Sequence, residues 1–436
     1  MTIEQLYQVY LQYPSIQTDT RKLKEGDLFF ALKGPNFNGN RFAAQALEQG
    51  AAYAIIDEAP VPQQDSPAPQ KDVTYDSRLI LVNDALETLQ ALALHHRRQF
   101  SIPFIAITGS NGKTTTKELI HAVLSSRYKV YTTQGNLNNH IGVPLTILSV
   151  QKDAQFAVIE MGANHQLEIA GYCAYTLPTH GLITNAGKAH LEGFGGPEGV
   201  KKGKGELYDS LRAGGGTAFV LWDHDYLREM SRGIAHIVTY GTRDAQFTGE
   251  LRQSEPFLTV SMTKGADTGD IHTQLVGDYN LPNVLAAVTA GKHFGVDDAT
   301  IRRAIEAYLP SNSRSQLIRR EDNQFVLDAY NANPSSMRAA IENFSRMKGD
   351  KVLILGGMAE LGTESLQEHR QIVDLIGQYP WREVLLVGGD FRKISHPYLS
   401  FENAREAAHW LRQAGLTNSS VLIKGSRSMR MEEVLE

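Results

Sequence analysis

One segment constrains the fold more than any other. FIAITGSNGKTTTKELI (Phe104 to Ile120) runs from an apolar β-like stretch through a Gly-rich turn into a helix carrying Leu119, Ile120, Val123 and Leu124 on one face. A strand, a glycine turn and a helix N-terminus in that order make a phosphate cradle. Glycines let backbone N–H groups converge on oxyanions, and the helix start adds donors and partial positive charge. Gly109, Ser110, Asn111 and Gly112 form the turn; Lys113 is placed to reach β- and γ-phosphates, with the Thr114 or Thr115 hydroxyl facing Mg²⁺. The pattern differs from the usual GxxxxGK[ST], because its first glycine position is Ile107.

Such a unit belongs in a parallel sheet, and the flanking sequence agrees. FAVIE (Phe156 to Glu160), GLIT (Gly181 to Thr184) and TAFVL (Thr217 to Leu221) follow as apolar runs with helix-like stretches between them, predicting a doubly wound α/β domain. Glu160 and His190 each lie at or just past a strand end, where ligands approach an open parallel sheet, and together with the phosphate loop they read as Mg²⁺ ligands.

At 436 residues the chain has room for about three domains. The N-terminal block, 1–99, carries strand-like DLFFAL (Asp27 to Leu32), AYAIID (Ala52 to Asp57) and LILV (Leu79 to Val82), then a helical stretch over 83–99. Between the strands, VPQQDSPAPQ (Val61 to Gln70) reads as a surface loop or crossover. The central block is 100–309. The C-terminal block, 310–436, repeats the α/β pattern with FVLD (Phe325 to Asp328), VLILG (Val352 to Gly356), VLLVG (Val384 to Gly388) and VLIKG (Val421 to Gly425). The expected architecture is a central P-loop parallel-sheet ATPase domain between an N-terminal substrate-binding α/β domain and a C-terminal Rossmann-like α/β domain.

A net charge of −5 gives no electrostatic reason to expect nucleic acid. The N-terminus lacks the basic start and apolar core of a signal peptide, and no apolar run approaches the roughly 20 residues that span a bilayer. One cysteine, Cys173, excludes an internal disulfide framework and reads as a buried small residue. A cytoplasmic, non-membrane protein is expected. The Gly214–Gly216 run reads as a turn.

These segments together resemble the Mur ligase family, which joins amino acids or a dipeptide to a UDP-sugar-peptide in peptidoglycan synthesis. TGSNGKTTTKE is similar to the family's P-loop, with its own glycine spacing. TTQGNLNNHIGVPLTIL (Thr132 to Leu148) is similar to the segment that meets the UDP-sugar-peptide, which implicates Asn136, Asn138 and Asn139. EMGANHQLEIA (Glu160 to Ala170), ITNAGKAHLEGFGGPEGVKKGKGEL (Ile183 to Leu207), GDYNLPNVLAA (Gly277 to Ala287), LDAYNANPSSM (Leu327 to Met337) and LGGMAELGTES (Leu355 to Ser365) follow in the family's order.

The resemblance implies ATP and Mg²⁺ as cofactors, with Lys113 on the phosphates and Thr114, Glu160 and His190 on the metal. It makes Lys204 the lysine that family members carbamylate, turning a cation into a carboxylate-like anion. Asn280 becomes the adenine-side residue, with Asn283 in the same turn; Arg314 becomes a clamp for the γ-phosphate or acyl phosphate, and Asp328 approaches the ribose or that arginine. Three positions depart from the usual pattern: Tyr279 stands where many relatives have His, Ser313 where a glycine is usual, and Gly357 where Asp is usual.

YNANP (Tyr330 to Pro334) with ELG (Glu360 to Gly362) resembles the members that add D-Ala-D-Ala to UDP-MurNAc-tripeptide, so Tyr330, Asn331 and Asn333 are expected at the dipeptide site. The same Asn-Pro-Ser-Ser run is also a good helix start. TDTRKLKEGDLFFALKGPNFNGNRF (Thr18 to Phe42) resembles the uridine-sugar-binding domain, and Thr18, Thr20, Arg21 and Lys33 suit a diphosphate and sugar. The mechanism implied is phosphoryl transfer to the substrate carboxylate, then attack of the dipeptide amine on the acyl phosphate, with domain closure and a monomeric enzyme. A diaminopimelate-adding member or a folylpolyglutamate synthetase would lack GNLNNHIGVP and YNANP. A nucleotide-binding protein with a decayed site would lack Lys113, Glu160 or Lys204.

Overall fold

The computed structural model describes residues 1–59, 76–311 and 313–436, so the expected loop at Val61–Gln70 lies outside the described residues. The architecture is three α/β domains in sequence, gathered into two compact units. The first unit comprises Met1–Ile105, Lys129–Met161 and Ala170–Pro178; the second comprises Ala106–Tyr128, Gly162–Ile169 and Thr179–Glu436.

In the first unit, strands Ile16–Gln17, Leu28–Phe30, Tyr53–Ile56 and Leu79–Leu81 form a parallel sheet in that spatial order. Phe29, Ala31, Ala54 and Ile56 pack its core against Ala43, Ala46 and Leu47. The helix predicted over 83–99 is Ala85–Arg97; Asp84 caps it by accepting from Glu87 N, and Leu89 and Leu92 are fully buried. Its last turn ties the unit together. His96 Nδ1 meets the Tyr7 hydroxyl at 3.0 Å and Nε2 meets Val150 O at 2.8 Å. The Arg97 guanidinium lies 3.9 Å from the Phe104 ring centroid and donates to Thr176 O and Leu177 O. Strands Val130–Thr132 and Phe156–Glu160 pair in parallel within this unit.

The second unit holds the end of the strand Phe104–Thr108, the helix Lys113–Ser125, and parallel strands His180–Ile183, Thr217–Leu221 and His236–Gly241. The parallel pairing expected for these central strands is present. Phe247–Gln253 joins in parallel, but Thr259–Lys264 and Asp270–His272 then extend the sheet antiparallel. These outer strands leave the core partway along, with Thr248 and Gly249 buried but Glu250 to Gln253 exposed, and Thr259 and Val260 buried but Thr263 and Lys264 exposed, so they lack the continuous apolar runs of doubly covered strands.

The C-terminal sheet runs Gln316–Arg320, Asn323–Asp328, Ser419–Lys424, Asp350–Gly356, Glu383–Val387 and Leu399–Phe401, parallel except for the first. Val352 to Leu355 are fully buried, as the run VLIL requires of a strand covered on both faces. Strand Ser419–Lys424 returns to the centre, between two strands that precede it in sequence. The C-terminal edge there is a topological switch point, where open α/β sheets take ligands. Among the described residues no helix is long and apolar enough to cross a membrane.

Candidate functional site

The glycine turn is built by backbone that only glycine tolerates. Gly109 has φ +142° and Gly112, the N-cap of the helix Lys113–Ser125, has φ +80°. A Cβ on Gly109 would collide with the Thr184 hydroxyl, and one on Gly112 would lie 2.7 Å from Asn283 Oδ1. The turn is also held from outside. Ser110 N donates to Asn185 O at 2.9 Å, Asn111 N to Asn185 Oδ1 at 3.0 Å, and Thr184 Oγ1 to Asn111 O at 2.6 Å. Thr184 and Asn185 come straight off the neighbouring strand; as polar residues ending an apolar run they carried a signal the sequence reading did not use.

Lys113 Nζ curls over the turn, donating to Gly109 O at 2.7 Å and Ser110 O at 3.2 Å. Carbonyl oxygens there occupy the ammonium that a phosphate oxygen would otherwise accept from. Thr114 is buried and Thr115 half-buried at the helix start. Asn283 accepts from Thr116 Oγ1 and donates to Asn280 Oδ1, while Asn280 Nδ2 donates to Val276 O. Asn280 thus sits buried in a hydrogen-bonded chain behind the turn.

Lys204 lies on the helix Pro197–Gly214, 1 % exposed, with Nζ donating to Ala163 O at 3.1 Å and standing 4.9 Å from the Phe194 ring centroid. Burial, and next the charge of Lys113, lowers its pKa well below the ordinary lysine value. His190, at φ +51°, has Nδ1 2.5 Å from Glu360 Oε2, an ion-pair distance without hydrogen-bond alignment. The His190 contact holds the Glu360 carboxyl below its ordinary range.

The first unit holds a separate group of expected site residues. Glu160 is 1 % exposed at the end of its strand and accepts from Asn138 Nδ2 at 2.7 Å. Asn139 Oδ1 accepts from Ile141 N and Gly142 N, opening the helix Gly142–Leu148, and Asn136 is exposed. Thr18 and Thr20 are half-buried. Arg21 is exposed and forked onto Asp19 through two bonds of 2.8 Å. Lys33 pairs with Asp57 at 3.2 Å and Glu58 at 3.3 Å.

In the second unit the C-terminal residues assemble around Arg314 and Ser315. The Arg314 guanidinium stacks 3.6 Å from the Tyr330 ring centroid, and its Nε is buried with no hydrogen-bond partner. A buried, unpaired donor on a stacked guanidinium suits an anionic ligand. Asn333 caps the helix Pro334–Ser345, and its Nδ2 donates to Asn111 Oδ1 at 2.8 Å, joining the expected dipeptide segment to the nucleotide turn. Lys188 strengthens that junction: its N donates to Ser335 Oγ at 2.9 Å, and its Nζ pairs with buried Glu368 at 2.5 Å. Asp328 accepts from Ser315 N and from Lys424 Nζ, and Lys424 also donates to Asn331 O. Lys188, Glu368 and Lys424 were missed from the sequence because each partner lies far away along the chain.

Among the described residues no cluster of three or more His, Cys, Asp or Glu side chains could hold a metal ion by itself. A hydroxyl at a phosphate-cradling helix start and few protein ligands nevertheless fit Mg²⁺, which keeps waters and takes phosphate oxygens.

Family models match the chain over residues 12–97 (Mur ligase family, catalytic domain), 107–291 (Mur ligase middle domain) and 313–427 (Mur ligase, glutamate ligase domain). The chain is 33% identical over 433 residues to the Bacillus subtilis UDP-N-acetylmuramoyl-tripeptide--D-alanyl-D-alanine ligase, covering 97% of this chain and 92% of that protein. A crystal structure of MurF from Acinetobacter baumannii superposes with a TM-score of 0.86 at 31% identity, covering 100% of this chain and 97% of that one. MurF ligase from Thermotoga maritima, solved in complex with ADP, gives 0.84 at 26% identity over 98% of this chain and 97% of that one.

Proposed function

The chain belongs to the Mur ligase family, an ATP-dependent group of ligases, and from that premise we propose that it joins D-Ala-D-Ala to UDP-MurNAc-tripeptide, releasing ADP and phosphate. The observation that carries this reading is the hydrogen bond from Asn333 to Asn111, which ties the YNANP segment to the phosphate turn. An acyl phosphate made at the turn then forms within reach of an amine held by that segment.

In the first step the tripeptide carboxylate oxygen attacks the γ-phosphorus and the bond to ADP breaks. In the second the dipeptide amine attacks the acyl carbon, phosphate leaves, and the amine proton is lost. Neither step needs a side-chain nucleophile, so the protein contributes position and charge. Lys113 turns from its loop carbonyls to the phosphates. Arg314, held flat by Tyr330, offers its unpaired Nε to the transferring group. Asn280 and Asp328 are assigned to the nucleoside. Thr18, Thr20, Arg21, Lys33, Asn136, Asn138 and Asn139 are assigned to the UDP-sugar-peptide, and Tyr330, Asn331 and Asn333 to the dipeptide.

Thr114, Glu160, His190 and carbamylated Lys204 are the residues we assign to Mg²⁺, which when bound would neutralise phosphate charge. Carbamylation consumes a neutral amine and CO₂ and releases a proton, and the lowered pKa of Lys204 supplies that neutral amine. The work divides among residues 1–99 for the UDP-sugar-peptide, 100–309 for ATP and 310–436 for the dipeptide, in a cytoplasmic monomer.

The test is ATP-dependent phosphate release with UDP-MurNAc-tripeptide, with and without D-Ala-D-Ala, followed by product mass. Release requiring both substrates and a product heavier by one dipeptide unit supports the reading. Release driven by a single amino acid, or none with any acceptor, sinks it.

A further inference from the structure

Lys424 ends the central strand of the C-terminal sheet with its side chain 2% exposed. Its register partner on the adjacent parallel strand is Asp328, so a cation and an anion stand side by side at the C-terminal edge of the sheet. Nζ donates to Asp328 Oδ2 at 2.6 Å and to the backbone oxygen of Asn331 at 3.2 Å. The other carboxylate oxygen, Oδ1, accepts from Ser315 N at 3.2 Å, and Ser315 Oγ meets the hydroxyl of half-buried Tyr279 at 2.9 Å. A buried ion pair is a poor way to hold a sheet together, because apolar residues of similar volume do so without removing charge from water. What this pair does that apolar residues cannot is fix the direction of a carboxylate and a carbonyl. Both belong to the stretch Asp328–Asn331, which includes the first two residues of the YNANP segment.

We propose that Lys424 is a positioning residue for the incoming dipeptide: its ammonium locks the Asn331 carbonyl and the Asp328 carboxylate in one arrangement, and so sets where the amine waits for the acyl phosphate. The lysine touches no reacting atom. It acts through Asn331, two residues before the helix cap Asn333, and through Asp328, which accepts from Ser315 N. This deepens the ligase reading above and rests on it.

The test measures KM separately for D-Ala-D-Ala, ATP and UDP-MurNAc-tripeptide in the full-length protein and in Lys424→Met and Lys424→Gln. KM is unaffected by the fraction of enzyme that folds, so partial misfolding lowers only the maximal rate. Losing a charged buried hydrogen bond should raise KM for the dipeptide at least about tenfold in Lys424→Met. The rise should be smaller in Lys424→Gln, whose amide still has a donor, and KM for the UDP-sugar-peptide should stay within about twofold. A dipeptide KM unchanged in both variants, or an ATP KM that rises while the dipeptide KM does not, overturns the proposal; the second result would make Lys424 a support for Asp328 alone. If the unmodified protein fails to join D-Ala-D-Ala, the ligase reading itself falls, independently of either variant.

Discussion

The nucleotide turn and the YNANP segment meet at one hydrogen bond, yet they are built in opposite ways. The turn at Gly109–Thr115 gets its backbone path from local rules, two glycines at positive φ, a strand behind and a helix ahead, with Thr184 and Asn185 bracing it from the next strand. The Tyr330–Asn333 segment owes its shape to distant residues, with Tyr330 stacked under Arg314, Asn331 held by Lys424 and Asn333 bonded to Asn111. A site assembled by backbone conformation is rigid before ligand arrives. One assembled by side chains from remote positions depends on how the domains are held, and a lid or closure motion acts on it first.

That contrast predicts graded failures. Lys113→Ala should cost most, about a hundred- to a thousandfold in kcat, since it removes a charge aimed at the phosphates. Single-turnover phosphate release measures it, and a loss under tenfold would mean the turn is not the catalytic cradle.

Lys204 should produce the next largest signal, read as stability against pH in CO₂-free buffer. Its folded pKa is depressed, so the unfolded chain binds a proton that the folded chain does not. Stability therefore rises with pH, by up to about 1.4 kcal/mol per unit, from the lowered value up to the ordinary lysine range. Lys204→Met should flatten that slope in denaturant titrations; an unchanged slope would place the proton elsewhere.

Gly109→Ala forces a side chain into the Thr184 hydroxyl at φ +142°. ATP KM should rise about ten- to a hundredfold while dipeptide KM moves far less, because the damage is local to the turn. Equal rises in both would show that the two regions are one rigid body.

Asn333→Ala is the mildest. It removes a helix cap and the bond to Asn111, with about 1 kcal/mol of stability lost and a severalfold rise in dipeptide KM. The unfolding midpoint and the KM together separate the two roles: a midpoint shift with no KM change would leave Asn333 as a cap alone.

The central and C-terminal strands were legible as continuous apolar runs, because strands covered on both faces need apolar side chains at every position. The antiparallel strands Thr259–Lys264 and Asp270–His272 were not, since the first is buried only at its start and the second only at Ile271, which leaves no continuous apolar run to read. Lys204 shows the same divide within a single residue. Three neighbouring lysines in KKGK look alike in sequence, and only packing reveals that Lys204 alone of them is 1% exposed with its pKa driven down.

By itself the sequence determined what short-range chemistry dictates: the phosphate turn, the capped helices, the strands with continuous apolar runs, and the order of segments that marks the family. Only tertiary structure decided which charges lie side by side. Lys424 and Asp328 stand 96 positions apart and Lys188 and Glu368 stand 180 apart. No local pattern records a pairing across that distance, because it comes into being only when the sheet closes and the helices pack.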